Sequence, residues 1–397
     1  MKNEKILLFV LALVQFTNIM DFMIMMPLNP ILSKLFALNP QQFGILVSSY
    51  ALCAGISGFG SAFFADRFDR RQVLLFVYAG FTIGTFACAS ATSYQMLLAA
   101  RSLTGIFGGV LGATVLSIVG DAIPSERRGA AMGIVMSAFA LASIFGVPFG
   151  LFLANRFTWA MPFMFLAILG VITTTMIFFM VPNFTKHIQE KQQNTNPIQV
   201  LINIAGDSNQ LIALSFTFIV MLAQFSVIPF LSDYMVANVG LTQEQLPLIY
   251  LTGGIASFFT SPLVGRLADK YGRLQLFVIF AILIMIPITL ITNLTKTPIY
   301  IALMISVMFF IFNSGRVVPA MTMTSSAAPP QTRGSFMSIN ASVQNLGSAT
   351  AAYIAGMIIY KDSLGTIFNY QYVGYMAVAL NFLAIFIAMK IKIADNK

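Results

Sequence analysis

Asp21 and Arg101 lie inside long apolar runs, where a charge is costly and normally faces a partner or a wet cavity. At 1.5 Å per residue, Asp21 stands roughly 22 Å from the start of its helix. Arg101 lies a few residues into a run over 96–120 that starts from the opposite side of the membrane. Both side chains are therefore expected in the same outer third of the bilayer. One chemistry for such a pair is proton exchange: Asp21 takes up a proton, and Arg101 is released. The other reading is a permanent salt bridge that orients two helices.

Uncharged polar residues recur on the same kind of helix. Gln15, Asn18 and Asp21 fall within about 120° of one helical face, since each third residue steps back 60°. Asn340, Gln344 and Ser348 repeat at successive fours, and Gln224 and Asn313 lie in two further runs. These groups suit the lining of a substrate cavity, with Phe and Met as adaptable apolar walls. They equally suit hydrogen bonding between helices. Arg316, deep in another run, is expected to meet an acidic group, helix-end carbonyls or an anionic substrate group. Pro148, between Gly146 and Gly150, removes a backbone donor and should bend its helix.

The elements that would position these residues are helices across a bilayer. Hydrophobic residues make up 58% of the 397 and charged residues 9%, against about 25% charged in a soluble domain. The chain segments into about twelve apolar runs of roughly twenty residues, including 6–33, 130–154, 274–293 and 335–359. The first follows Lys2 and Lys5 without a small-residue cleavage site and is expected to be a retained helix. With both termini cytoplasmic, sixteen of the 22 Lys and Arg fall on the cytoplasmic side, which is the positive-inside bias. The net charge of +9 is thus topology and not a nucleic-acid surface.

The same inventory excludes several chemistries. Cys53 and Cys88 lie in apolar runs without metal-ligand spacing, and the single histidine, His187, sits in a polar connector. Gly55-Ile56-Ser57-Gly58 superficially matches an intramembrane serine protease, but a serine nucleophile needs a base in the membrane. No phosphate-binding loop is present, so the expectation is transport driven by an ion gradient, without cofactor or metal. Lipid, protons and a small-molecule substrate are the expected partners of a monomer.

Two patterns occur twice, about half a chain apart. Asp66-Arg67-Phe68-Asp69-Arg70 is echoed by Asp269-Lys270-Tyr271-Gly272-Arg273, and Arg128-Gly129-Ala130-Ala131-Met132 by Arg333-Gly334-Ser335-Phe336-Met337. Duplicated membrane bundles build alternating-access carriers. The expected fold is therefore all-α, with twelve transmembrane helices in two pseudo-symmetric six-helix bundles. Residues 1–182 and 209–397 form the bundles, joined by a cytoplasmic linker over 183–208. Residues 197–204 within that linker suit a short surface helix.

On these motifs the chain resembles a major facilitator superfamily transporter of the drug/proton antiporter branch, similar to the arabinose-efflux-permease-like group. The loop signature is carried by Asp66-Arg67-Phe68-Asp69-Arg70-Arg71 and again from Gly265 to Arg273. Arg101-Ser102-Leu103-Thr104-Gly105 resembles the fourth-helix motif, Gly146-Val147-Pro148-Phe149-Gly150 the fifth-helix antiporter motif, and Asp21-Phe22-Met23-Ile24-Met25 the first-helix acidic motif. The resemblance implies export by proton exchange across a bacterial inner membrane, with uptake symport or facilitated transport of a nutrient as the alternative. It also implies a conformational latch of Asp66, Arg67, Arg70, Arg71 and Asp121, repeated at Asp269, Lys270, Gly272 and Arg273. Asp69 departs from the family pattern, which has Gly there.

Overall fold

A backbone in lipid must satisfy its own hydrogen bonds, and the apolar runs do so as helices. The computed structural model describes residues 2–61, 68–184, 197–329 and 332–392. The chain opens with α1 (Lys2–Ile24), α2 (Asn29–Leu35), α3 (Pro40–Ser61), α4 (Arg70–Ala89) and α5 (Tyr94–Ala122). There follow α6 (Ser125–Leu141), α7 (Val147–Arg156), α8 (Met161–Met180) and the short α9 (Pro197–Gly206), where the linker helix was expected. The second half contains α10 (Ser208–Tyr234), α11 (Leu246–Tyr271), α12 (Arg273–Leu283), α13 (Met285–Thr292), α14 (Ile299–Ser326), α15 (Arg333–Ile358) and α16 (Tyr370–Ala388).

Among the described residues, eleven helical segments are long and apolar enough to cross a membrane. The run over 335–359 is also one helix, α15, of 26 residues. Its Gly, Ala, Ser, Asn and Gln content keeps it out of that set. Large phenyl rings face outward, with Phe179 76%, Phe76 72% and Phe259 70% exposed. Such a surface needs an apolar solvent.

Prolines set the interruptions. The run 6–33 is broken by a turn over 25–28, and Pro30 sits in the first turn of α2, where a missing N–H costs nothing. The run 130–154 widens into a π turn, Ala142–Gly146, between α6 and α7. There the Val147 N–H reaches back to the Ala142 carbonyl, immediately before Pro148, which has no N–H to continue the ladder. A Cβ on Gly150 would lie 2.7 Å from Ile24 Cδ1, so the small residue admits α1 at the bend. The run 274–293 divides at Ile284, ahead of Pro287.

Contacts divide the chain into two compact units: residues 1–24 with 49–200, and residues 25–48 with 201–397. The first unit packs Leu11, Val14, Tyr78, Leu111 and Val115 at its centre; the second packs Phe216, Phe277, Ala281 and Ala384. Segment 25–48 belongs to the second unit although it precedes most of the first in sequence. Asn29 Nδ2 donates to the Pro229 carbonyl at 3.2 Å, and Ser48 Oγ to that of Ala349 at 2.7 Å. A Cβ on Gly44 would meet the Ala352 carbonyl oxygen at 2.6 Å, so helix approach there requires glycine.

A two-residue hairpin, β1 (Tyr360–Lys361) with β2 (Ile367–Phe368), joins α15 to α16. Asn238 clamps Ile367 at both its carbonyl (2.8 Å) and its N–H (2.9 Å). Lys361 Nζ lies 2.9 Å from both oxygens of Asp233, which is 4% exposed. Lys361→Met leaves that carboxylate buried and unpaired, a loss of about 3–5 kcal/mol. The thermal midpoint of the purified protein should fall, and adding Asp233→Asn should recover most of it. An unchanged midpoint in the single variant would show that the pair does not hold the hairpin.

Candidate proton-coupling and substrate site

The first unit brings Asp21 and Arg101 together. Arg101 Nη1 lies 2.6 Å from Asp21 Oδ2 and 3.4 Å from the Asp21 carbonyl oxygen. The two residues are 0% and 1% exposed, so the pair is sealed from solvent. Thr85 Oγ1 donates to Asp21 Oδ1 at 3.2 Å. The guanidinium carbon lies 4.4 Å from the centre of the Tyr50 ring, a cation–π contact in a dry setting. Tyr50 Oη donates to Asn18 Oδ1 at 2.9 Å, and Asn18 Nδ2 reaches the Gly108 carbonyl at 3.5 Å. Cys88 is buried beside Thr104, and Cys53 is half-buried; both are free thiols.

Glycines on α5 make this arrangement possible. A Cβ on Gly105 would land on the Tyr50 carbonyl oxygen, and one on Gly109 on that of Ala54. α3 therefore lies backbone to backbone against α5, which sets the Tyr50 ring over Arg101. Gln15 does not join the cluster, and its Oε1 has no partner. Ser57 donates to the Ala54 carbonyl of its own helix, as a packed hydroxyl does.

At the basic end of the same unit, Arg70 Nε lies 3.2 Å from Asp121 Oδ2. Asp66 and Arg67 lie outside the described residues. Arg71 turns away from Asp121: its Nη1 donates to Asn183 Oδ1 at 2.9 Å, its Nη2 to the Phe178 carbonyl, and the group covers the Phe178 ring. Arg128 Nη2 caps the carbonyl end of α5 at Gly120, at 2.8 Å. A cation there complements the helix dipole.

The second unit repeats this scheme with different chemistry. Arg333 Nη2 reaches the Ala328 carbonyl after α14 at 3.5 Å, as Arg128 serves α5. Arg273, in register with Arg70, donates from Nη1 to Ser326 Oγ at 2.6 Å, where the first unit has Asp121. Asp269 and Lys270 are exposed, with Lys270 Nζ over the Tyr271 ring. Gly272 adopts φ +97°, which favours glycine. Its counterpart Asp69 has φ −57° and caps α4 instead, its Oδ1 accepting from Arg71 N (3.0 Å) and Phe184 N (2.9 Å). The departure from Gly thus creates a tie between the start of α4 and the chain that follows α8. Asp69→Ala should lower stability by about 1 kcal/mol as a lost cap, read as the thermal midpoint. The same variant should become more readily cleaved by protease after Asn183. No change in either would reject the tie.

Asn340 and Gln344 line one narrow cavity with Thr217 and Thr324, whose hydroxyls are 3.2 Å apart. Asn340 Oδ1 and, elsewhere on α10, Gln224 Oε1 have no partner. Asn313 is committed to Arg316, which donates to it from Nη2 at 3.1 Å and to Asn381 Oδ1 from Nη1. The expectation that Arg316 meets an acid or helix-end carbonyls is therefore corrected: its partners are two side-chain amides. Tyr50, Thr85, Asn381 and Asp233 were not among the sequence candidates. Asp233 alone carried a readable signal, as an acid at the end of an apolar run.

The Major Facilitator Superfamily model matches residues 11–215 and 213–396. The chain is 25% identical over 349 residues to the uncharacterized MFS-type transporter YceJ of Bacillus subtilis (strain 168), covering 85% of each. It is 22% identical over 347 residues to the putative transporter AraJ of Escherichia coli (strain K12), covering 86% of this chain and 83% of AraJ. Among solved structures, a bacterial homolog of the human lysosomal transporter Spinster superposes with a TM-score of 0.78 at 15% identity, covering 98% of each chain. A D-xylose-proton symporter gives 0.77 at 17% identity and 96% of each. The duplicated arginines, the membrane-spanning helices and matches across both halves agree: the chain is an integral membrane transporter of the Major Facilitator Superfamily.

Proposed function

We propose that this transporter is a proton-coupled antiporter that exports small molecules across a bacterial inner membrane by alternating access. The sealed Asp21–Arg101 pair carries the reading, since an intramembrane charge pair with two stable arrangements can convert a proton into a conformational bias. In one arrangement Asp21 is ionised and holds Arg101. In the other Asp21 is protonated and neutral, and Arg101 rests on the Tyr50 ring. The bundles 1–182 and 209–397 would rock about the linker 183–208, with both termini cytoplasmic and the protein acting as a monomer. The Arg70–Asp121 pair would brace the cytoplasmic end of the first bundle in the outward-facing state, and the Pro148 bend would serve the exchange.

The test uses purified protein in proteoliposomes with an interior pH dye. Candidate amphipathic cations, sugars and organic acids are added on one side. Substrate-dependent proton movement opposite in direction to the substrate supports antiport; movement in the same direction means symport. Substrate flux with no proton movement means a facilitator.

A further inference from the structure

Two buried carboxylates are matched by cations: Asp21 by Arg101 within the spans, and Asp233, at the end of α10, by Lys361 of the hairpin. Arg316 is different. It is 0% exposed and, among the described residues, meets no carboxylate; its neighbours are the amide oxygens of Asn381 and Asn313. Its Nε donates to nothing. A buried guanidinium held only by neutral acceptors carries an uncompensated charge, which is expensive until an anion joins it.

The surroundings favour one ligand chemistry. Nε and Nη2 lie on the same edge of a guanidinium, the fork that matches two carboxylate oxygens. Nη2 is held by Asn313, which is half-buried and so lies on the more accessible side of Arg316. Nη1 is anchored from the other helix by Asn381, itself 0% exposed and fixed by its own Nδ2 bond to the Ala377 carbonyl at 2.8 Å. One edge of the arginine is thus immobilised, and the other is closed by a single displaceable amide. We infer that Arg316 is an anion anchor: a small organic acid displaces Asn313 Oδ1 and takes Nε and Nη2 together through its carboxylate. This rests on the carrier reading for the ligand's route, and it names the substrate class as small carboxylates.

Equilibrium binding separates the anchor from proton coupling, because it needs no gradient. The full-length protein in detergent is titrated with benzoate, with its neutral isostere benzamide and with chloride, following the thermal midpoint. Benzoate should raise the midpoint saturably, and benzamide and chloride should not. Arg316→Met should lose the benzoate response at a temperature where the variant is still folded. Arg316→Lys, which keeps charge without the fork, should retain a weaker one. Should Arg316→Met fail to fold, Asn313→Ala supplies the test: removing the competing oxygen should tighten benzoate binding severalfold, whereas a merely structural Asn313 would loosen it or leave it unchanged. Asp21→Asn should keep the benzoate response whatever it does to proton movement. The inference is overturned if benzoate and benzamide act alike, if chloride matches benzoate, or if the benzoate response survives in Arg316→Met.

Discussion

Asp21→Asn protein remains folded, and its transport no longer responds to a pH gradient. Asparagine keeps the size of the side chain and one acceptor oxygen, so one of the two donors, Thr85 Oγ1 or Arg101 Nη1, which bond different oxygens of Asp21, keeps its partner. The lost quantity is the charge that can be gained or removed by a proton. Leaving a buried cation without its anion costs about 3–5 kcal/mol; the Tyr50 ring already lies over Arg101 beside the intact pair and keeps the cation covered in the variant as well. The variant should therefore melt lower than the parent but still purify as a folded protein. In proteoliposomes a compound that drives proton movement with the parent should drive none with Asp21→Asn. Exchange of labelled for unlabelled compound, which needs no gradient, should continue. Arg101→Met should be the more stable partner of a double variant with Asp21→Asn, because the pair is then removed whole. Proton-coupled flux at the parental rate in Asp21→Asn would reduce the pair to a strut between α1 and α5.

That pair was readable in sequence because a charge in an apolar run is a loud signal, and counting residues from opposite ends placed both at one depth. The duplicated arginines were readable as an echo. Their chemistry was not: capping of α5 by Arg128 needs the helix to end at Ala122 and the chain to return. Tyr50 and Thr85 were silent because a tyrosine or threonine in a membrane helix has no spacing that separates a ligand from packing. Asn313 was grouped with cavity-lining amides, although its spacing of three from Arg316 on one helix already allowed the contact that the fold shows. The exchange of Gly for Asp69 stood out, but its partner, the Phe184 N–H, is 115 residues away. Segment 25–48 was assigned by chain order, whereas its packing is decided by the Gly44 face and the Asn29 side chain, whose partners lie in the second unit.

The small residues of α5 were read in sequence as packing, and the structure makes that reading specific enough to test. Gly105→Ala and Gly109→Ala each place a methyl group on a carbonyl oxygen of α3, at Tyr50 and Ala54, and backbone cannot rotate away as a side chain can. The helices must separate. Overpacking of this kind costs about 1–3 kcal/mol, against which the better helix propensity of alanine returns at most about 1 kcal/mol. Gly112→Ala is the control, since a Cβ there meets nothing within 4 Å and should leave the thermal midpoint level or slightly raised. The functional consequence follows from the same displacement. Moving α3 outward lifts the Tyr50 ring from its 4.4 Å position over Arg101 and weakens the Tyr50–Asn18 hydrogen bond. On the proposed cycle, the arginine then loses its resting place when Asp21 is protonated. Fewer protons should move per substrate in Gly105→Ala, at a temperature where the variant is still folded. A Gly105→Ala protein that matches Gly112→Ala in both midpoint and proton movement would show that close approach of α3 is dispensable. A drop in midpoint with unchanged proton movement would separate packing from coupling and return Tyr50 to the core.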